Sequence, residues 1–353
     1  MISYSSMKVL ITGGAGFLGL HLADFFCRKG NRVTLVDIAD FDKKEYPSQC
    51  RFVKADVRDN RLIGKVMVGH DAVVHAAAAL PLWPAKEIFS INVAGTRNLL
   101  ELALKNKIKR FIYISSTAVY GVPKKHPIEE NDALVGVGPY GQSKIEAEKA
   151  CRFYRKKGLT VTVLRPKTFI GTHRLGVFEI LFDWIKDGKK IPMIGNGNNR
   201  YQLLAVDDLV EVVYLLTTVK NKEKTNSEFN IGAEKFVSVK NDLQALFDYA
   251  ASGSSILPTP AFLVKKALWL FEKLKISPLY QWVYDTADKD SYVSIEKLIK
   301  VLKWHPKYSN SEALIESYRW YLDNYQQIKS RPAGITHTAG WQQGILKLFK
   351  KIL

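Results

Sequence analysis

Three side chains in the first half of this sequence have the types and spacing to move a proton on and off an alcohol. Tyr140 and Lys144 stand at i and i+4 in YGQSK, which puts both on one face of a helix. A phenol alone, with a pKa of about 10, is a poor base at neutral pH. A lysine ammonium one turn along stabilises the phenolate and lowers that value. Ser116 follows the apolar run RFIYIS and can hydrogen-bond the same substrate oxygen. Such a trio passes a proton to or from a carbinol while another group takes or gives hydride. A Tyr-x-x-x-Lys pair by itself is common on helix surfaces, so its reading depends on what surrounds it.

The stretch KVLITGGAGFLG, Lys8 to Gly19, supplies the second half of that chemistry. A short apolar strand runs into glycines and then into a helical pattern opened by Phe17 and Leu18, the context that makes a glycine motif a phosphate site. Gly13 allows the tight turn, Gly16 leaves bare backbone for a pyrophosphate, and Gly19 lets helix and strand pack closely. The helix start offers N–H groups and a partial positive charge to the phosphates. Asp37 ends the next strand, NRVTLVD, where a carboxylate accepts both ribose hydroxyls and repels a 2′-phosphate, favouring NAD over NADP. Asp56 and Val57, after the third strand, face the adenine edge. Ala76, after the strand DAVVH, begins a run of small residues that lets backbone approach the cofactor. His75 reads as a packing or positioning residue.

Stepping along the chain, strands and helices alternate. That pattern predicts an α/β fold, a Rossmann-type doubly wound parallel sheet with a smaller C-terminal substrate lobe. Residues 1–172, with 199–233 contributing, form the NAD-binding unit, 173–328 the substrate lobe, and 329–353 a linker and tail. A helix is expected over 85–105, with Asn92 inside it needing a hydrogen-bond partner. Asp207 and Asp208 read as helix caps. Three scattered cysteines without a CxxC pair, and seven histidines without ligand spacing, argue against a disulfide scaffold and against a metal site. The net charge of +18 could attract a nucleotide diphosphate or an anionic membrane, but no nucleic-acid motif accompanies it. No secretory signal or spanning segment is visible, so a cytoplasmic protein is expected, with peripheral attachment at the inner face of a membrane as an option.

TGGAGFLG, Asp37, Asp56, ISSTAVYG and YGQSK together resemble the extended short-chain dehydrogenase/reductases, in particular the NAD-dependent epimerase/dehydratase group. The resemblance runs on through Leu164-Arg165-Pro166 and Asn199-Arg200-Tyr201-Gln202 to about Asn324. It implies tightly held NAD, a small-molecule substrate in the second lobe, and a homodimer formed through the 85–105 and 140–156 helices. Dehydratases and decarboxylases of this group carry an acid just after the catalytic Ser/Thr. Here Thr117 and Ala118 stand there, which disfavours elimination and leaves 4-epimerisation through a ketone, or simple oxidation or reduction of a secondary alcohol. In the substrate lobe, Thr168 stands where many nucleotide-sugar enzymes of the group have an asparagine that touches the sugar or diphosphate. Arg200 stands like the arginine that grips the diphosphate, its fork suited to phosphate oxygens. Pro81 and Trp83 would line the same cleft.

Two further features bear on the substrate. Apolar residues of 257–276 keep helical phase, as in the membrane-facing region of the related 3β-hydroxysteroid dehydrogenase-like enzymes, although such a helix more often covers its own core. Trp341, Ile345, Leu348, Phe349 and Ile352 share one face of a tail helix with Lys347, Lys350 and Lys351 opposite, the pattern of an interfacial helix over 341–353 or of docking on protein. The readings are therefore a nucleotide-sugar 4-epimerase, a membrane-associated hydroxysteroid-like or lipid alcohol dehydrogenase, and a non-catalytic NAD-binding scaffold. The intact Ser116, Tyr140 and Lys144 speak against the last.

Overall fold

The computed structural model describes residues 6–81, 83–273, 281–330 and 350. In chain order the first half holds β1 (Lys8–Thr12), α1 (Phe17–Arg28), β2 (Arg32–Asp37), β3 (Arg51–Lys54), α2 (Asn60–Met67), β4 (Ala72–His75), α3 (Ala85–Phe89), α4 (Thr96–Lys105), β5 (Arg110–Ile114), α5 (Gly138–Lys156) and β6 (Val161–Pro166). Then come β7 (Thr168–Ile170), α6 (Val177–Lys186), β8 (Lys190–Ile194), β9 (Leu203–Ala205), α7 (Val206–Thr218), α8 (Lys222–Thr225), β10 (Glu228–Ile231), α9 (Val239–Ala250) and β11 (Ser255–Thr259). The chain continues through α10 (Ala261–Lys273), α11 (Gln281–Thr286), α12 (Glu296–Leu302), α13 (Asn310–Asp323) and α14 (Tyr325–Ser330).

Seven strands form one sheet in the order β10-β6-β5-β4-β1-β2-β3, every neighbour parallel, as the alternating pattern predicts. The strands read as continuous apolar runs because both faces are covered. On one face α1, α7 and α12 pack through Phe26, Leu209, Val213 and Leu298; on the other α2, α4 and α5 pack through Ile63, Leu99, Leu100 and Ala147. The strand order reverses between β1 and β4, and the crevice beyond their carboxyl ends is where such sheets bind ligands. A separate core joins α6, α9 and α13 through Phe182, Leu246, Leu314, Tyr318 and Tyr321, beside the two-stranded pairs β7–β9 and β8–β11.

Several local expectations change on contact with tertiary structure. The 85–105 helix is continuous but widens into a π-helical turn at Ser90–Gly95. That turn carries Asn92, whose carboxamide bonds both backbone groups of Ala79 and the hydroxyl of Ser143, tying the loop after β4 to α5. Of the 257–276 run, the apolar residues in helical phase from Phe262 to Phe271 lie in α10, whereas the start of the run does not. Residues 255–259 pair with β8, and the helix begins only after Pro260, a residue that suits a first turn and not an interior. Asp207 and Asp208 lie inside the first turn of α7, whose N-cap is Ala205. Asp208 instead accepts the N–H groups of Lys307 and Tyr308 at 3.0 and 3.2 Å, fastening the segment after α12. Cys27 and Cys50, distant in sequence, meet with sulfurs 3.5 Å apart as free thiols. Of the tail reading over 341–353, only Lys350 lies within the described residues; its ammonium pairs with Asp183 of α6 and with Asp187 just beyond that helix. Among the described residues no helix is long and apolar enough to cross a membrane.

Behind the crevice, α5 is fixed to β6 by a buried ion pair. Arg165 donates to both oxygens of Glu148, at 2.9 and 2.6 Å, with the two side chains 2% and 0% exposed. Ser115 donates to the same carboxylate, and Arg165 also donates to Tyr120 and to the Glu130 carbonyl. Removing one member leaves the other charged, buried and uncompensated. Glu148→Ala is therefore expected to lower the unfolding free energy by about 3–5 kcal/mol, read as a shift in the urea midpoint, whereas Glu146→Ala on the exposed side of α5 changes it by less than about 1 kcal/mol.

Candidate active site

The crevice is a cavity of about 690 Å³ at the carboxyl edge of the sheet. Its wall contains, of the residues singled out from sequence, Gly13, Gly16, Phe17, Leu18, Asp37, Asp56, Val57, Ala76, Pro81, Trp83, Ser116, Thr117, Tyr140, Lys144 and Thr168. Gly19 lies behind the wall, where its lack of a side chain matters: a Cβ would come 2.3 Å from the Gly13 carbonyl oxygen. Arg200 is not on this wall. It is exposed, its guanidinium 4.2 Å from the ring centroid of Tyr292 and bonded to that phenol.

The nucleotide end is built mainly from backbone. Gly13 has φ +72°, and a Cβ there would meet Ala77 N at 2.6 Å. No side chain caps α1 at Gly16, so the first-turn N–H groups of that helix face the crevice without a competitor. Asp37 accepts N–H from Ala15 and Ala39, each at 3.0 Å, which pins the glycine loop to the end of β2 and orients the carboxylate along the wall. Asp56 is clasped by Arg58, with one contact of 2.6 Å, and this guanidinium holds its carboxyl below the usual range. Arg58 in turn reaches Glu87 and Ser90, so the loop after β3 is braced against the π turn. The residues present fit a dinucleotide: a glycine cradle that a Cβ would fill, a helix start without a side-chain cap, and a carboxylate on the wall at the end of β2.

At the reacting end, Tyr140 and Lys144 lie on one face of α5 as the spacing predicts. Lys144 donates to the Ile114 carbonyl at 2.9 Å, and its ammonium is 5.8 Å from the Tyr140 ring centroid and 4.9 Å from that of Tyr113. Enclosure dominates both groups in the protein alone. Burial pushes the phenol up to about 12, against the opposing pull of a Ser116 hydrogen bond and the Arg174 charge. Burial likewise brings the Lys144 ammonium down to about 8, against the attraction of Glu148. Ser116 Oγ accepts the Ala118 N–H at 3.1 Å, which fixes its rotamer at the end of β5. His75 is fully buried between the hydroxyls of Thr12 and Thr96, and burial depresses it to about 3, so it is a neutral strut.

Three residues on this wall or beside it carry no sequence-derived role: Lys167, Arg174 and Tyr201. Arg174 lies with its guanidinium 5.2 Å from the Phe17 ring centroid and 5.6 Å from that of Phe169. Tyr201 shares a hydroxyl contact of 3.1 Å with Thr168. Their one signal in the sequence is position, since Lys167 follows the Arg-Pro that ends β6 and Arg174 lies in the turn after β7.

The sequence matches the NAD dependent epimerase/dehydratase family over residues 9–232. It is 33% identical over 341 residues to the uncharacterized protein y4nG of Sinorhizobium fredii, covering 96% of this chain and 84% of that one. It is 26% identical to UDP-glucose 4-epimerase of Halalkalibacterium halodurans, over 90% of this chain and 96% of the relative. Among solved structures, UDP-glucose 4-epimerase of Thermotoga maritima with UDP-glucose superposes with a TM-score of 0.74 at 25% identity, over 90% of this chain and all of the other.

Gly13→Ala is expected to strain the loop by about 1–3 kcal/mol and to press a methyl group into the Ala76–Ala77 backbone. The expected outcome is loss of NAD from the purified protein, measured by cofactor content after denaturation, with a smaller change in melting temperature.

Proposed function

The chain belongs to the NAD-dependent epimerase/dehydratase family, and within it we infer that it is a 4-epimerase acting on a nucleotide sugar through a ketone. The observation that carries this reading is what the reacting end of the cleft contains. Ser116, Tyr140 and Lys144 converge there, while among the described residues the only carboxylates on the cavity wall are Asp37 and Asp56, at the ends of β2 and β3 and away from the trio. Elimination of water or loss of a carboxylate needs an additional acid or base beside the trio. Thr117 and Ala118 provide none. Residues 1–172 with 199–233 would hold NAD, and 173–328 the sugar.

When bound, NAD supplies the acceptor for the hydride of the alcohol carbon. The chain's own residues handle the proton. Tyr140 takes it from the hydroxyl, Ser116 holds the same oxygen against the phenol, and Lys144 lies one turn away as a fixed positive charge that stabilises the phenolate. Ile114, through its carbonyl, keeps that ammonium in place. The 3β-carbinol chemistry of a dehydrogenase would use the same atoms, so the distinction lies in cofactor turnover. Exposed Phe89 on α3 and Phe153 on α5 support pairing of two copies along these helices.

A second reading, a membrane-surface substrate, is supported by α10. Phe262, Leu263, Trp269 and Leu270 are each about half exposed or more, at 66, 61, 52 and 49%, with Lys265 and Lys266 beside them. Aromatic and lysine side chains in this mixture suit an anionic lipid interface. It would bring the enzyme to a lipid-linked or hydrophobic alcohol.

Incubation with UDP-galactose is expected to yield UDP-glucose with no added NAD and no accumulation of NADH. Stoichiometric NADH would instead identify a dehydrogenase. Tyr140→Phe is expected to lower kcat by about 10²–10⁴-fold while the protein still purifies with NAD. For the second reading, Phe262→Ser with Trp269→Ser is expected to abolish co-sedimentation with phosphatidylglycerol vesicles at an unchanged melting temperature; equal sedimentation of the two proteins removes it.

A further inference from the structure

Lys167 is a buried cation in the wall of the cavity. It is 1% exposed, and among the described residues no carboxylate pairs with it. Its ammonium donates to Ser291 Oγ at 2.7 Å and lies 4.7 Å from the centroid of the Tyr201 ring. One acid, Asp290, lies in the same region and favours protonation of His126, but it accepts the Arg200 N–H, and among the described residues no carboxylate offsets the burial of Lys167. The His126 and Arg200 charges lie close enough that Lys167 and Arg200 both disfavour protonation of His126. An ammonium kept in such a place has exchanged water for one hydroxyl and an aromatic face, a poor return for a full charge. Burial alone brings it down to about 7.

Its place in the sheet says which part of a ligand it meets. Ile114 of β5 and Leu164 of β6 are register partners, which sets Ser116 level with Pro166 and Lys167 one residue further out, both on the cavity wall. Lys167 therefore shares the carboxyl edge of the sheet with Ser116 and lines the same cavity as Tyr140 and Lys144. Arg200, by contrast, is exposed and off the cavity wall. A sugar ring whose carbinol is at Tyr140 presents its own substituents to Lys167, whereas a diphosphate lies further along the substrate.

We propose that Lys167, oriented by Ser291, is a specificity-determining residue that receives a carboxylate carried by the sugar, so that the preferred substrate is a nucleotide hexuronate. This rests on the nucleotide-sugar reading above and narrows it. The carboxylate supplies the counter-charge the fold omits, and a neutral hexose leaves the ammonium unpaired. Thr168 and Tyr201, hydroxyl to hydroxyl beside it, offer further donors to the same group.

The test is calorimetric binding of UDP, UDP-glucose and UDP-glucuronate to the full chain with its NAD, in wild type, Lys167→Met and Ser291→Ala. Wild type is expected to prefer UDP-glucuronate over UDP-glucose. Lys167→Met is expected to weaken UDP-glucuronate by roughly 30-fold or more and to leave UDP unchanged, and Ser291→Ala to weaken the uronate less. The melting temperature of Lys167→Met is expected to hold or rise, because an apolar chain of similar length replaces an uncompensated buried charge. Equal weakening of UDP assigns the ammonium to the diphosphate and overturns the proposal. So does a fall in melting temperature with an unchanged uronate preference, which marks a structural lysine. Failure of wild type to bind any of the three ligands overturns the nucleotide-sugar reading itself, whereas binding of all three without preference overturns only the uronate assignment.

Discussion

The Arg165–Glu148 ion pair is the constraint on which the reacting end of this molecule depends. Glu148 stands two turns beyond Tyr140 and one beyond Lys144, so all three share a face of α5. Fixing the third residue of that stripe fixes the rotation of the helix about its axis, and with it the aim of the first two. Arg165 does so with two nearly parallel hydrogen bonds, the geometry in which a guanidinium is most directional. Ser115 and Tyr120 add bonds from the segment that follows β5, so the alignment of the helix is referred to the same stretch that carries Ser116. A buried pair of this kind adds little net stability over an apolar substitute. What it contributes here is orientation.

The cleft divides electrically along its length. Its acids, Asp37 and Asp56, gather at the nucleotide end, both occupied by donors from their own loops. Its cations, Lys144, Lys167 and Arg174, lie on the rest of the wall, Arg174 between Tyr140, whose phenol feels its charge, and the ring of Phe17. The large surplus of positive charge on the chain is thus not only a solvated surface; part of it is turned inward. Desolvation presses the ammonium groups of Lys144 and Lys167 toward neutrality, and a negatively charged substrate group or a phenolate at Tyr140 acts in the opposite direction.

What could be read from the sequence was what is written locally. The glycine loop with its flanking strand and helix, the acid closing β2, and the tyrosine and lysine one turn apart are each encoded within a dozen residues, and the backbone geometry they require is the same in any surrounding. The parallel, doubly wound sheet followed from the alternation of apolar runs and helical patterns, whereas its outermost strand, β10, comes from 228–231, far along the chain. The remainder depends on contacts across large sequence separations. Lys167 acquires its character from Ser291, 124 positions away, and Asp208 finds its partners at Lys307 and Tyr308. Asp208 looks like a cap until those donors are known. The strand at 255–259 holds Pro258 and is followed by Pro260, local marks against a helix, but its pairing is fixed only by β8, far earlier in the chain. The π turn around Asn92 likewise exists to reach Ala79 and Ser143, neither of which its own sequence names.

The wholly parallel order of the main sheet also sets how this molecule comes into being. No strand in it can be joined to its neighbour by a hairpin, so every pairing waits for a crossover to be traversed. The edge strand β10 completes the sheet from more than 200 residues downstream of β1. During synthesis the first strands leave the ribosome with both apolar faces bare and their later partners not yet made. Chains of such long-range connectivity acquire their structure slowly. Lys167 in the pocket wall meets its partner Ser291 only when the chain has been made that far, so a shorter nascent chain carries the nucleotide loop before its cleft is fully braced.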